Sequence, residues 1–192
     1  MMEVKIIKIN KKIRSYIEDP NAYKEIYGAE GKKVQIFLNS IIRMEKKKSK
    51  QLQGEQYDNF RIIFDVDDEV MSNEFCRVNE IKCYIAFYDK IYMGHVYSFD
   101  HDYINDEKEN DTLYVQGIRT SVDNFLSKER IHGIGKYLIY AVVKSSKENI
   151  IRIIEPLDHM AKILERMGFI ASGWYYIYGK KKIEDMDIKI TN

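Results

Sequence analysis

The chain has 192 residues, 45% of them hydrophobic and 32% charged, enough apolar mass for one compact domain with a real core. Its longest apolar runs are too short to span a bilayer, and the N-terminus alternates lysine with isoleucine in place of an apolar signal segment. Two cysteines, Cys76 and Cys83, with no CxxC or Cys/His cluster around them, argue against a structural metal or a disulfide framework. The expectation is a cytoplasmic protein with neither a metal nor a membrane partner.

The net charge of +1 conceals an uneven spread. Residues 1–50 carry 13 Lys/Arg and 6 Asp/Glu, residues 51–129 carry 7 and 17, and residues 130–192 carry 11 and 7. The basic first third is suited to an anionic partner, but lysine runs such as Lys46-Lys47-Lys48 read first as solvated helix ends. The aromatic and basic residues do not interleave as on a nucleic-acid platform, so a nucleic-acid partner is not expected.

In chain order, Val4–Ile9 alternates apolar and polar residues and reads as a first strand. Two helical segments are expected between Ile13 and Arg43, broken near Gly28-Ala29-Glu30-Gly31, with Val34, Phe37, Leu38, Ile41 and Ile42 on one apolar face. Residues 46–59 read as loop and Phe60–Phe64 as a short strand. Strands at Ile81–Tyr88 and Ile91–Phe99 are joined by a tight corner at Tyr88-Asp89-Lys90. A polar connection over residues 100–111 leads to a strand at Leu113–Thr120.

Next comes a helix over Ile134–Ser146, buried through Leu138, Ile139, Ala141, Val142 and Val143. Ile150–Ile154 reads as a strand covered on both faces. Asp158 is placed to cap a helix over His159–Met167 that stops at Gly168. Trp174–Tyr178 and Ile183–Ile190 read as a closing hairpin turning near Gly179-Lys180. This order predicts a single domain over 1–192 of α/β or α+β class, built on a mixed sheet. Residues 1–59 form its helical, basic N-terminal part.

Chemistry concentrates at Arg130-Ile131-His132-Gly133-Ile134-Gly135, followed by Lys136. Backbone N–H groups at a helix start converge on a phosphate with a favourable dipole, and glycine lets the ligand approach the backbone. A short glycine motif alone is weak evidence; a turn that merely packs a helix closely on a sheet uses the same residues.

The ordered set of a strand, an Arg-x-x-Gly-x-Gly turn into a helix, a second strand, and a helix ending in Gly168-Phe169 resembles the GCN5-related N-acetyltransferase superfamily. The resemblance covers about residues 81–190. It implies a mostly antiparallel central sheet, splayed between the strands at 113–120 and 150–154 and flanked by helices. It also implies acetyl-CoA as co-substrate. The pantetheine arm would pair with backbone at Ile118, Arg119 and Thr120. The pyrophosphate would sit on Arg130 and on the N–H groups of Ile131, His132, Gly133, Ile134, Gly135 and Lys136.

The chain also departs from the family pattern. The tyrosine that often protonates the leaving thiolate is Leu164 here, and a frequent asparagine is Leu157. The segment from Ser121 to Glu129 is a few residues longer than usual.

Glu155, at the end of the second strand, is the candidate general base, with a capping or salt-bridge carboxylate as its ordinary alternative. His159 and the tyrosines Tyr175, Tyr176 and Tyr178 are further candidates, and Tyr114 and Gln116 stand where some relatives have a carboxylate. Acidic clusters at Asp65–Glu69 and Asp100–Asp111 would draw a cationic amine acceptor, or else form solvated loops. The expected function is acetyl transfer from acetyl-CoA to a primary amine. A non-catalytic acyl-CoA-binding module and an effector-like acyltransferase acting on a macromolecule are its alternatives. The oligomeric state, a dimer included, is left open.

Overall fold

A computed structural model describes residues 3–10, 15–18, 32–70, 81–88, 91–100, 109, 111–128, 130–154, 156–173 and 175–179. Its strands are β1 (Glu3–Asn10), β2 (Ser15–Glu18), β3 (Ile81–Tyr88), β4 (Ile91–Phe99), β5 (Thr112–Thr120), β6 (Ile150–Ile154), β7 (Ile170–Ser172) and β8 (Tyr175–Gly179). Its helices are α1 (Lys32–Ser49), α2 (Glu55–Val70), α3 (Val122–Leu126), α4 (Ile134–Ser145) and α5 (Asp158–Arg166). The strands form one 8-stranded sheet in the order β2-β1-β3-β4-β5-β6-β8-β7. The β1–β3 and β5–β6 pairs are parallel and the others antiparallel. The fold is thus α/β with a mixed, mostly antiparallel sheet.

Helices cover both faces. On one face α4 and α5 bury Leu138, Ile139, Val142, Met160 and Leu164 against Val96, Val115, Ile151 and Ile153. On the other, Ile41 of α1 and Val70 of α2 pack with Ile81, Ile85, Phe99 and Tyr114. Each such aliphatic side chain contributes about 1.5–3 kcal/mol by leaving water. A third cluster, of Ile42, Phe60, Phe64 and Val122, ties α1 and α2 to α3.

The strands at 81–88 and 91–99 fall where alternation and branched residues place them. Those at 112–120 and 150–154, and the helix at 134–145, agree within a residue.

The structure differs from the expected elements at several places. Residues 15–18 are a strand paired antiparallel with β1, not helix. The second helix continues to Ser49, past Arg43. Residues 55–70 are one helix rather than a loop followed by a strand, because Phe60, Phe64, Asp67 and Val70 recur at helical spacing and are buried together. The closing hairpin joins β7 to β8, pairing Ser172 with Tyr175, so β8 turns back on 170–172. The expected partner at Ile183–Ile190 lies outside the described residues, as do Cys76 and most of 100–111.

At α5 the capping position is Leu157, and Asp158 lies one residue inside the first turn without the expected side-chain cap. Its end agrees with the sequence: the Gly168 and Phe169 N–H groups donate back to the Glu165 and Leu164 carbonyls.

Candidate functional site

β5 is where the sheet opens. Its parallel ladder to β6 runs only from Thr112↔Ile150 to Val115↔Ile153, while β5 continues to Thr120 along β4. On the β4 side Tyr97 pairs with Gln116 and His95 with Arg119, so Gly117 and Ile118 together oppose Val96. This is a bulge, which bends and twists the strand locally. Gly117 sits in it at φ 65, and a Cβ there would stand 2.9 Å from the Tyr97 ring. Both the left-handed backbone and the missing side chain are therefore needed.

Past the end of the ladder lies a small open cleft. Gln116, Gly117 and Ile118 form one wall and Ile153, Ile154, Pro156 and Leu157 the other. Ile62, Ile63 and Val66 of α2 enter it from one face of the sheet, His159 and Met160 of α5 from the opposite face. The gap thus passes through the sheet.

The glycine loop adjoins this cleft. Gly133 caps α4 at φ 84, and a side chain at Gly135 would meet the Met160 methyl at 2.9 Å and Ile118 at 3.8 Å. Gly135 thus brings the first turn of α4 against two residues of the cleft wall. The N–H groups of Ile134, Gly135 and Lys136 take no acceptor among the described residues, as the first turn of any helix leaves them. Lys136 is half-buried there and His132 is exposed.

The loop is held from beneath by Asn124 of α3. Its Oδ1 accepts from the Ile131 N–H and its Nδ2 donates to the Ile131 carbonyl, both at 2.9 Å. The Ile131 N–H is therefore engaged and removed from the expected set of phosphate donors. Arg130 is also engaged: its guanidinium donates to the Phe125 carbonyl and lies 4.4 Å from the Phe125 ring centre.

The side chain of Arg119 faces away from the cleft and enters a buried ionic cluster between α2, β4 and β5. Asp67, His95 and Arg119 are 0%, 0% and 3% exposed. The Arg119 guanidinium lies 3.0 Å from Asp67 Oδ2 and 4.8 Å from the Phe64 ring centre. Asp67 Oδ1 accepts from Tyr97 at 2.9 Å and contacts His95 Nε2 at 2.7 Å, and Tyr92 Oη lies 2.7 Å from His95 Nδ1.

Burial pushes the Asp67 carboxyl up, but Arg119, His95 and Tyr97 together outweigh it, so its pKa falls. Burial also lowers His95 despite the neighbouring carboxylate, and it raises Tyr92 and Tyr97. A neutral His95 then donates from Nε2 to Asp67 and accepts from Tyr92 at Nδ1. Glu45 of α1 is fully buried too; burial raises its pKa while the Val122 N–H donates to it at 2.7 Å. Nothing in the spacing of these residues in the sequence announces the cluster.

Of the remaining candidates, Thr120 pairs with Gly94 and is half-buried. Leu164 is fully buried in the core, and Tyr178 stacks on Phe169 at 4.8 Å. Tyr176 donates to Glu165 at 3.1 Å, Tyr175 lies beside Arg152, and Tyr114 is buried. These tyrosines are not part of the cleft wall, whereas Gln116, Leu157 and His159 are. Glu155 lies outside the described residues. No family model matches the chain, and neither does any curated protein. Among the described residues no helix is long and apolar enough to cross a membrane.

Proposed function

We propose that this chain is an acetyl-CoA-dependent N-acetyltransferase of the GCN5-related kind, moving an acetyl group to a primary amine. One observation carries the reading: the β5–β6 ladder stops at Val115, and the gap it leaves adjoins a glycine-capped helix start. A pantetheine arm is narrow and pairs with backbone; Gly117 and Ile118 lie past the ladder on that side. A diphosphate needs donors without side-chain obstruction, and the first turn of α4, with Lys136, meets that need.

Acetyl-CoA supplies an activated thioester. The chain's part is to hold it along β5, to orient the carbonyl against backbone N–H groups at the bulge, and to exclude water from the reacting carbon. The amine nitrogen forms the new N–C bond as the C–S bond breaks. The electron pair leaves with sulfur, which takes up a proton while the nitrogen loses one. Within the cleft wall His159 is the side chain able to accept that proton; Glu155 remains a second proposed base. In the family pattern Leu164 would be the proton donor to sulfur, but its side chain is buried hydrocarbon, so solvent or His159 fills that role.

Binding without turnover is the second reading, favoured by that same Leu164. Titration calorimetry with acetyl-CoA and a thiol-release assay with an amine panel separate the two. Wild type is expected to bind and to release thiol with an amine. Gly133→Asp, which sets a carboxylate at the proposed diphosphate site, is expected to weaken binding by about tenfold or more. Unchanged affinity in that variant would refute the placement of the diphosphate.

A further inference from the structure

The two ends of the cleft differ in chemistry. One adjoins the first turn of α4 with its unpaired N–H groups and Lys136. At the other, across the gap in the sheet, α2 presents Ile62, Ile63 and Val66. Pro156 and Leu157 complete the apolar lining. Ile62 is 48% exposed, a large aliphatic side chain left at the rim.

The described lining contains no Asp, Glu, Lys or Arg; its polar side chains are Gln116 and His159. Three carboxylates of α2 that would attract a cation are engaged or lie elsewhere. Asp67 is sealed against Arg119, His95 and Tyr97, Asp68 pairs with Lys46 at 2.5 Å, and Asp65 is exposed outside the lining. Among the described residues these walls offer an ammonium no counter-charge, whereas an alkyl or aryl group gains by leaving water.

We infer that the acceptor is a primary amine bearing an apolar substituent, seated against Ile62, Ile63, Val66, Pro156 and Leu157; this rests on the acetyl-transfer reading above. It differs from the cationic amine acceptor that the acidic clusters at Asp65–Glu69 and Asp100–Asp111 suggest in the sequence. The amine reacts neutral, with its substituent on the apolar wall and its nitrogen toward the bulge at Gly117. It gives one proton to base or solvent as the thiolate leaves.

The test compares acetyl transfer to 2-phenylethylamine, hexylamine and spermidine in wild type and in Ile62→Asp, a substitution at an exposed position. Wild type is expected to show a kcat/KM at least about tenfold higher for the two apolar amines than for spermidine. Ile62→Asp is expected to lower that value about tenfold for the apolar amines and to narrow the preference, while affinity for coenzyme A stays within about twofold.

A wild-type preference for spermidine overturns the inference, as does indifference of the apolar amines to Ile62→Asp. Coenzyme A binding with no turnover of any of the three amines overturns it equally. So does octanoyl-CoA outperforming acetyl-CoA with that advantage lost in Ile62→Asp, because the apolar wall then serves the acyl chain. Failure of coenzyme A to bind is a separate result, and it removes the transfer reading itself.

Discussion

β5 has neighbours of opposite character on its two sides. Toward α2 and β4, Arg119 enters a sealed cluster with Asp67, His95, Tyr92 and Tyr97, where charged and polar groups meet without solvent. Toward β6, only three residues earlier, Gln116 to Ile118 face an open cleft whose described lining carries no Asp, Glu, Lys or Arg. The bulge at Gly117 separates the two. The ionic groups hold the end of β5 and the adjacent turn of α2 in place, and the cleft is left to backbone and hydrocarbon. A site built this way depends on the position of a strand more than on a set of reactive side chains.

The largest effect is expected at Asp67. Replacing it by Ala leaves Arg119 buried without its counter-charge, with an expected cost of about 3–5 kcal/mol in urea unfolding. The paired change Asp67→Leu with Arg119→Met removes both charges and is expected to recover most of that loss. If the single and double variants are equally unstable, the ion pair is not what holds α2 to β5.

A smaller effect is expected at the loop beside the cleft. Asn124→Ala withdraws both hydrogen bonds to Ile131 and leaves two backbone groups of a half-buried residue unpaired, for about 1–3 kcal/mol. It should also weaken coenzyme A binding, because the glycine turn loses its support. An affinity equal to wild type would mean that α4 alone sets the turn.

Acid is expected to produce the mildest change. The folded pKa of His95 lies below its ordinary value of 6.5, so the unfolded chain binds the extra proton first and stability falls as pH drops below about 6.5. Asp67, also lowered, adds a loss in the same direction below its ordinary 3.8. Glu45 acts oppositely: with its pKa raised, it favours the fold below 4.5 and loses that contribution as pH rises through its folded value. His95→Asn is expected to flatten the fall in urea midpoint between pH 7 and pH 5; an unchanged slope would place the titrating group elsewhere.

The sheet was legible in the sequence wherever local pattern and burial coincide, as in Ile81–Tyr88 and Ile150–Ile154. The helix at 55–70 was not, although its period is present: Phe60, Phe64, Asp67 and Val70 share one face. The run Ile62-Ile63-Phe64 imitates a strand, and a buried aspartate reads as a solvated one until its partners are known. Those partners, His95 and Arg119, lie 28 and 52 residues further along the chain, and no periodicity connects them. The glycine turn, by contrast, is a local motif and stands at a helix start as the sequence implies. What the sequence did not reveal is that Asn124 already takes the Ile131 N–H and that Arg130 folds back on Phe125.

Amide hydrogen exchange of the full chain with and without coenzyme A tests the paired roles of cleft and helix start most directly. Protection on adding coenzyme A is expected at residues 133–136 and 116–118, with the buried cluster around Asp67 unchanged. Protection absent from both segments, or centred elsewhere on the sheet, would contradict the assignment of this cleft to coenzyme A.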